Sequence, residues 1–170
     1  MTTPSYPKLS DRQRKELMGE LQGLKRFCLS LAGSDADADD LLQGTVERLL
    51  ERGIPRDAHT ARWAYRVCKN MWIDELRSRE VRVRHVSSVI QAGEAVELSP
   101  SAEVQSEGER SLQAVTAALG RLPEEQRMAL TLVAVEGKSY AEAAEILQVP
   151  IGTIMSRIAR ARKQLLPVLD

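Results

Sequence analysis

Ser139-Tyr140-Ala141-Glu142-Ala143-Ala144-Glu145-Ile146-Leu147, then Gln148-Val149-Pro150-Ile151, then Gly152-Thr153-Ile154-Met155-Ser156-Arg157-Ile158-Ala159-Arg160-Ala161-Arg162-Lys163-Gln164-Leu165, reads as two helices across a tight turn. Tyr140, Ala143, Ala144 and Leu147 recur at helical spacing on the first, and Ile154, Ile158, Ala161 and Leu165 form one apolar face of the second. Ser156, Arg157, Arg160 and Lys163 fall opposite that face, in a stretch that holds no acid. Small alanines stand where two helices must approach closely, Val149-Pro150 breaks the chain, and Gly152-Thr153 supplies a side chain able to cap the next helix. This is a helix-turn-helix whose second helix is shaped for a DNA major groove, with an apolar back and a basic front.

Working outward, helix signals abound and strand signals are scarce, so the chain is expected to be all-α. Ser10 can cap a helix carrying Leu17, Leu21, Leu24, Cys28 and Leu31, closed by Gly33. Asp35, Asp37, Asp39 and Asp40 gather where a helix N-terminus is positive, and the helix they open bears Leu41, Leu42, Val46, Leu49 and Leu50 before Gly53 stops it. A loop with Pro55, Asp57 and Thr60 leads to a longer helix, about Ala61 to Arg79, with Trp63, Ala64, Val67, Met71 and Leu76. Between about Glu80 and Gly108 the pattern fails. Gly93, Ser99-Pro100-Ser101 and Ser106 interrupt it, as a linker would. Leu112, Val115, Ala118, Leu119 and Leu122 then make a new apolar stripe, Pro123 opens another helix with Glu124 and Glu125 behind it, and Gly137 closes that one. Two small helical domains are expected, residues 1–80 and 111–170, joined by a flexible linker at 81–110.

The 170 residues carry 24 basic and 24 acidic side chains, so positive charge for DNA has to be local rather than global. The two cysteines, Cys28 and Cys68, lie inside apolar helical patterns and read as buried thiols rather than as a disulfide or metal site. His59 and His85 are isolated, with no metal-ligand spacing and no phosphate-binding glycine loop, which argues against an enzyme, a metal, a cofactor or a small-molecule substrate. The N-terminus lacks the basic and apolar regions of a secretory signal, and no apolar run is long enough to span a bilayer, so a soluble cytoplasmic protein is expected.

Four segments, in order, resemble the signature motifs of bacterial RNA polymerase sigma factors. They are Asp37-Ala38-Asp39-Asp40-Leu41-Leu42-Gln43, Ala61–Asn70 continuing to Asp74-Glu75-Leu76-Arg77, Leu119–Arg127, and Val149–Arg157. With only two domains, the chain is similar to the extracytoplasmic-function (ECF) group, whose members join RNA polymerase core, carry it to a promoter and open the DNA at the −10 element. The resemblance implies that Asp39, Asp40, Leu41, Leu42, Gln43 and Leu50 meet the polymerase through a helix-on-helix contact, with Val46 and Leu49 left to the core. It implies that Arg66, Lys69, Asn70, Trp72 and Arg77 bind the −10 region, where a basic groove and aromatic rings suit single-stranded DNA. Arg66 and Asn70, with the loop from Gly53 to Thr60, are expected to hold a flipped base. Trp63 is expected to pack inward, while the pattern places Trp72 neither inside nor outside. At the −35 element Ser156, Arg157 and Arg160 are the candidates for base edges and Thr153, Arg162 and Lys163 for phosphates. An anti-sigma factor is expected as a further partner, clamping the chain between its domains.

The sequence departs from the family pattern in three places. Gly44 follows Gln43 where an acid is usual, Gln148 stands where the turn commonly has glycine, and Met155 replaces a common lysine. Gln148 therefore either accepts a left-handed conformation or sits in a different turn. Two other readings compete. One is a sigma-like decoy that sequesters an anti-sigma factor, which would not need a basic recognition helix; the other is a free-standing regulator, which would need a dimerisation or effector domain in front.

Overall fold

The computed structural model describes residues 4–87 and 106–169, and every regular element within them is helical. The first lobe is built from α1 (Asp11–Ala32), α2 (Asp35–Arg52) and α3 (Thr60–Ser87). The second comprises α4 (Glu107–Arg121), α5 (Glu124–Leu130, prolonged by one π turn over Thr131–Val135), α6 (Tyr140–Leu147) and α7 (Ile151–Leu169). Most of the expected linker, residues 88–105, lies outside the described residues. Its ends do not behave as expected, since residues 81–87 continue α3 and residues 107–110 open α4.

Local chemistry sets the helix boundaries. Ser10 and Gln13 form a reciprocal capping box at α1, the hydroxyl accepting from the Gln13 N–H and the amide oxygen accepting from the Ser10 N–H. Gly33 closes α1 in the left-handed region at φ 78°, and Ser34 caps α2 at once. The overrun of α3 past Arg79 has a local cause too. Arg79 pairs with Glu75 and Arg84 with Glu80 at 3.0 and 3.1 Å, each four residues apart on one helix face. These pairs carry the helix through Val81-Arg82-Val83-Arg84, where the apolar pattern of the sequence fails.

In the first lobe Leu17, Leu24, Phe27, Cys28 and Leu31 of α1 interleave with Ala38, Leu41 and Leu49 of α2 and with Ala64, Tyr65, Cys68 and Trp72 of α3. The two thiols meet there, Sγ to Sγ 3.4 Å apart, both free and buried. Their mutual contact, then burial, pushes the Cys28 thiol far above its ordinary range. In the second lobe Ile154, Ile158, Ala161 and Leu165 of α7 pack against Ala143, Ala144 and Ile146 of α6 and against Met128 and Ala129 of α5. Gln148 takes the left-handed conformation at φ 57° and caps α6, which settles the turn. Thr153 does not cap α7, because the helix already begins at Ile151 and the Thr153 N–H bonds to the Pro150 carbonyl at 3.0 Å.

The N-terminal segment is part of the fold. Leu9 is buried, the Tyr6 N–H donates to the Arg52 carbonyl at 2.7 Å, and the Gln13 side-chain amide donates to the Pro55 carbonyl. Gly53 stands at φ 75°, ψ −178°, and a Cβ there would come within 2.1 Å of the Pro7 carbonyl oxygen. At Gly33 nothing lies near a would-be Cβ.

Three outcomes follow from this architecture. Gly53→Ala is expected to destabilise by about 1–3 kcal/mol and to free the N-terminal segment, whereas Gly33→Ala costs about 1 kcal/mol and frees nothing; urea unfolding and limited proteolysis of the two variants check this. Phe27→Ala, with no room to relax, is expected to cost about 3–5 kcal/mol in the same titration. Both thiols are expected to resist Ellman's reagent in the native protein and to react together on unfolding.

Candidate nucleic-acid interface

The long helix α3 presents most of the residues singled out for the −10 region, and the fold divides them between two surroundings. Arg66, Lys69 and Trp72 face the second lobe. The Arg66 guanidinium donates to the Glu145 carbonyl at 3.0 Å and lies 5.4 Å over the Trp63 ring. Lys69 reaches the side-chain oxygen of Gln148 at 3.4 Å with 7% of its surface exposed. Burial, and secondarily Arg66, pulls the Lys69 pKa below the ordinary lysine range. Trp72 is a core residue, 3% exposed, whose indole N–H donates to Glu124 at 3.2 Å. Trp63, expected inside, is half-buried and meets Tyr6 edge-on with ring centroids 5.4 Å apart.

Asn70 and Arg77 look the other way. With Tyr6, Arg48, Arg52, Trp63 and an edge of Lys69, whose ammonium turns to Gln148, they line a cleft of about 750 Å³ between the end of α2 and α3. Of the loop expected to share base-holding with them, Gly53 alone borders this cleft. Arg56, Asp57, Ala58 and His59 instead line a separate cleft of about 990 Å³ against the first turns of α1. So Arg66, Asn70 and the loop, grouped on sequence grounds, belong to three different surroundings.

The residues that sequence reasoning missed are those that dock the lobes. Arg62 of α3 pairs with Glu145 at 2.8 Å and with Glu142 at 3.5 Å, both on α6. Glu136, just after the π turn, has a side chain 3% exposed and accepts from Arg26 Nε and Nη2 at 2.9 and 3.1 Å; the Tyr65 hydroxyl donates to it at 3.3 Å. Gly23 on α1 makes room for this node, since a Cβ there would lie 2.4 Å from the Tyr65 hydroxyl and 2.8 Å from the Glu136 carboxylate. Burial raises the Tyr65 pKa and the neighbouring carboxylate raises it further, so the phenol stays protonated and able to donate. Arg127, paired with Glu124, bonds across to the Leu31 carbonyl of α1. Apart from the local Arg127–Glu124 pair, none of this pairing has a signal in local sequence, because each of the other bonds joins segments far apart in the chain.

On α7 the outward face is formed by Met155, Ser156, Ala159, Arg160 and Lys163, with Arg162 at its border, all exposed. Thr153 and Arg157 lie on the flank, where Arg157 is tied to Glu125 of α5 at 3.5 Å. Of the residues expected to meet polymerase, Asp39, Asp40, Gln43 and Leu50 are exposed on α2 and Leu42 is half-buried. Leu41 is a core residue at 8% exposure and cannot offer its side chain to a partner. Leu50 and Val46 instead border an open apolar groove with Leu17, Met18 and Leu21 of α1.

An all-helical two-lobe chain, with a cationic aromatic helix in one lobe and a helix-turn-helix in the other, defines a class of DNA-binding transcription proteins. Comparison with known proteins narrows the class. Residues 18–82 match the Sigma-70 region 2 family and residues 112–165 match Sigma-70, region 4. The chain is 31% identical over 163 residues to the ECF RNA polymerase sigma factor EcfG of Rhodopseudomonas palustris, covering 95% of this chain and 87% of that protein. It superposes on the sigma factor RpoE of Bartonella quintana, solved in complex with the anti-sigma factor NepR, with a TM-score of 0.74 at 28% identity over 94% of this chain and 98% of that one. A co-crystal structure of the anti-anti-sigma factor PhyR with NepR from the same organism shares the fold at TM-score 0.60 and 19% identity, over 89% of this chain and 48% of that one. This protein belongs to the ECF sigma factors of the sigma-70 family. No helix among the described residues is long and apolar enough to cross a membrane.

The lobe contact is open to direct test. Glu142→Lys with Glu145→Lys sets like charges against Arg62, and the expected result is a larger radius of gyration by small-angle scattering. Adding Arg62→Glu is expected to restore the compact value.

Proposed function

We propose that the docked arrangement is the resting form of this sigma factor, and that polymerase core separates the lobes so that α3 reads the −10 strand while α7 reads the −35 duplex. The supporting observation is one of mutual exclusion. Arg62, Arg66 and Lys69 cannot hold phosphates while they hold Glu142, Glu145 and Gln148. In this reading Arg66, Lys69, Asn70 and Arg77 act at −10, with Trp72 supporting α3 from the core rather than stacking on a base. Arg160 and Ser156 read base edges at −35. Lys163, Arg162 and Thr153 hold phosphates there, and Arg157 serves both its tie to Glu125 and the DNA flank. Asp39, Asp40, Gln43, Leu42 and Leu50 meet the polymerase, with Leu41 shaping that helix from behind. Residues 1–80 and 111–170 act as the two functional domains, with the last turns of α3 belonging to the first.

The work is binding and positioning in the cytoplasm, with the chemistry left to polymerase. An anti-sigma factor that bridges the docked lobes would hold them shut, since it adds affinity only to the closed state. The decoy alternative shares the fold, but it gives no role to the exposed cations of α7.

Run-off transcription with purified core polymerase, on promoters taken from upstream of the protein's own gene, tests the reading. Specific initiation is expected, and Arg66→Ala with Asn70→Ala is expected to abolish it while leaving core binding intact. Arg160→Ala is expected to lose about 1–3 kcal/mol of discrimination at one −35 base pair, measured by competition between matched and mismatched templates. Tight core binding with no initiation on any template would favour the decoy.

A further inference from the structure

The cleft between the N-terminal segment, the end of α2 and α3 stays open while the lobes are docked, and its chemistry is unusual for this chain. Four cations border it, Arg48 and Arg52 from α2 and Lys69 and Arg77 from α3, against the one carboxylate of Asp74. Among the described residues no carboxylate lies at ion-pair distance from Arg48, Arg52 or Arg77. Complementing a helix C-terminus accounts for Arg52 at most. It does not explain why α3 adds two more cations to the same opening, Arg77 with no acid at ion-pair distance and Lys69, whose ammonium turns to the Gln148 side-chain oxygen. Such a cleft draws a polyanion. The half-buried ring of Tyr6 forms one wall, braced edge-on by Trp63, so an aromatic surface stands among the cations. Cations along a groove, interleaved with aromatic rings, are what a single nucleic-acid strand requires, phosphates on the one and bases on the other.

Tyr6 is also held there by construction. Its N–H is bonded to the Arg52 carbonyl, and Gly53, in a conformation open only to glycine, lets the Tyr6-Pro7 backbone lie against the end of α2. A surface tail that merely happened to rest on the lobe would need neither.

Resting on the sigma-factor reading of α3, we propose that the N-terminal segment is part of the promoter-opening apparatus: Tyr6 stacks on a base of the separated non-template strand, and Arg48 and Arg52 hold the flanking phosphates. This extends the −10 surface beyond α3 and assigns it a ring and two cations that the four family-like motifs do not contain.

The test uses holoenzyme assembled from the full chain and core polymerase. The probe is a fork-junction promoter that is single-stranded over the −10 element and carries 2-aminopurine in the non-template strand. Tyr6→Ala is expected to weaken fork binding about ten-fold, the order of one stacked base, and to lose the fluorescence change, while Tyr6→Phe keeps both. Binding to a duplex carrying only the −35 element is expected to be unchanged. Arg48→Gln with Arg52→Gln, a pair that leaves the ring in place, is expected to reduce the salt slope of fork binding by about 0.7 per lost contact. If Tyr6→Ala holoenzyme binds and opens the fork like the unsubstituted one, and the arginine pair leaves the slope unchanged, the proposal is overturned and the ring only packs against Trp63. If the unsubstituted chain itself forms no initiating holoenzyme, the sigma reading fails and this proposal falls with it, which is a distinct result.

Discussion

Helix α3 cannot serve two partners with one face, and that constraint organises the molecule. Its inner side, Ala64, Tyr65, Cys68 and Trp72, completes the first lobe's core. The adjoining side, Arg62, Arg66 and Lys69, is satisfied by α6 in the docked chain and by phosphates in the proposed open one. The docking contacts are graded to allow the exchange. Half-exposed pairs such as Arg62 with Glu142 and Glu145 belong to a kind that contributes about 0–1 kcal/mol each. The more binding element is the Glu136 node, where a carboxylate out of solvent depends on Arg26 and Tyr65 and is costly to strand. A partner that supplies a large interface to both lobes can outweigh such a contact, and a partner that bridges them can lock it.

Much of this fold was legible because it is written locally. Capping residues, Gly33 and Gly53, and the apolar stripes of α1, α2 and α7 place their helices from a few residues at a time. The helix-turn-helix was legible for the same reason, down to the choice posed at Gln148, which tertiary packing resolves in favour of the left-handed conformation. Where local patterns conflict, the reading failed. Val81-Arg82-Val83-Arg84 alternates like a strand, but ion pairs at four-residue spacing keep it helical. Trp63 and Trp72 show the other limit. Both suit an amphipathic helix, and only the arrival of the second lobe over Trp72 and of Tyr6 beside Trp63 decides which is buried.

The candidate site was less legible than the fold, because its residues were grouped by family motif while the structure groups them by cavity and by neighbour. Arg66 and Asn70 share a helical face, yet one is drawn to α6 and the other opens onto the cleft beside Arg48 and Arg52. Leu41 sits in the middle of the motif proposed to meet polymerase and still points into the core. The lobe contacts had no signature at all, since Glu136, Glu142 and Glu145 are ordinary helical acids until their distant partners are known.

Those acids also give the zero net charge a physical meaning. A DNA-binding chain usually carries a surplus of cations, and here 24 of each sign cancel. The cancellation is spatially organised. Glu142 and Glu145 stand before Arg62, Glu136 before Arg26, and Glu125 before Arg157. A closed chain of zero net charge exerts little long-range pull on bulk DNA, with uncompensated cations left in the cleft of Arg48, Arg52 and Arg77 and on the face of α7. In the proposed open form α3's cations are uncovered and the α6 acids moved away from them, so on that proposal attraction to phosphate rises only where polymerase has already engaged. On the proposed opening, neutrality acts as a form of selectivity: it withholds the general affinity that would scatter the protein over the genome, and favours DNA binding by the assembled enzyme.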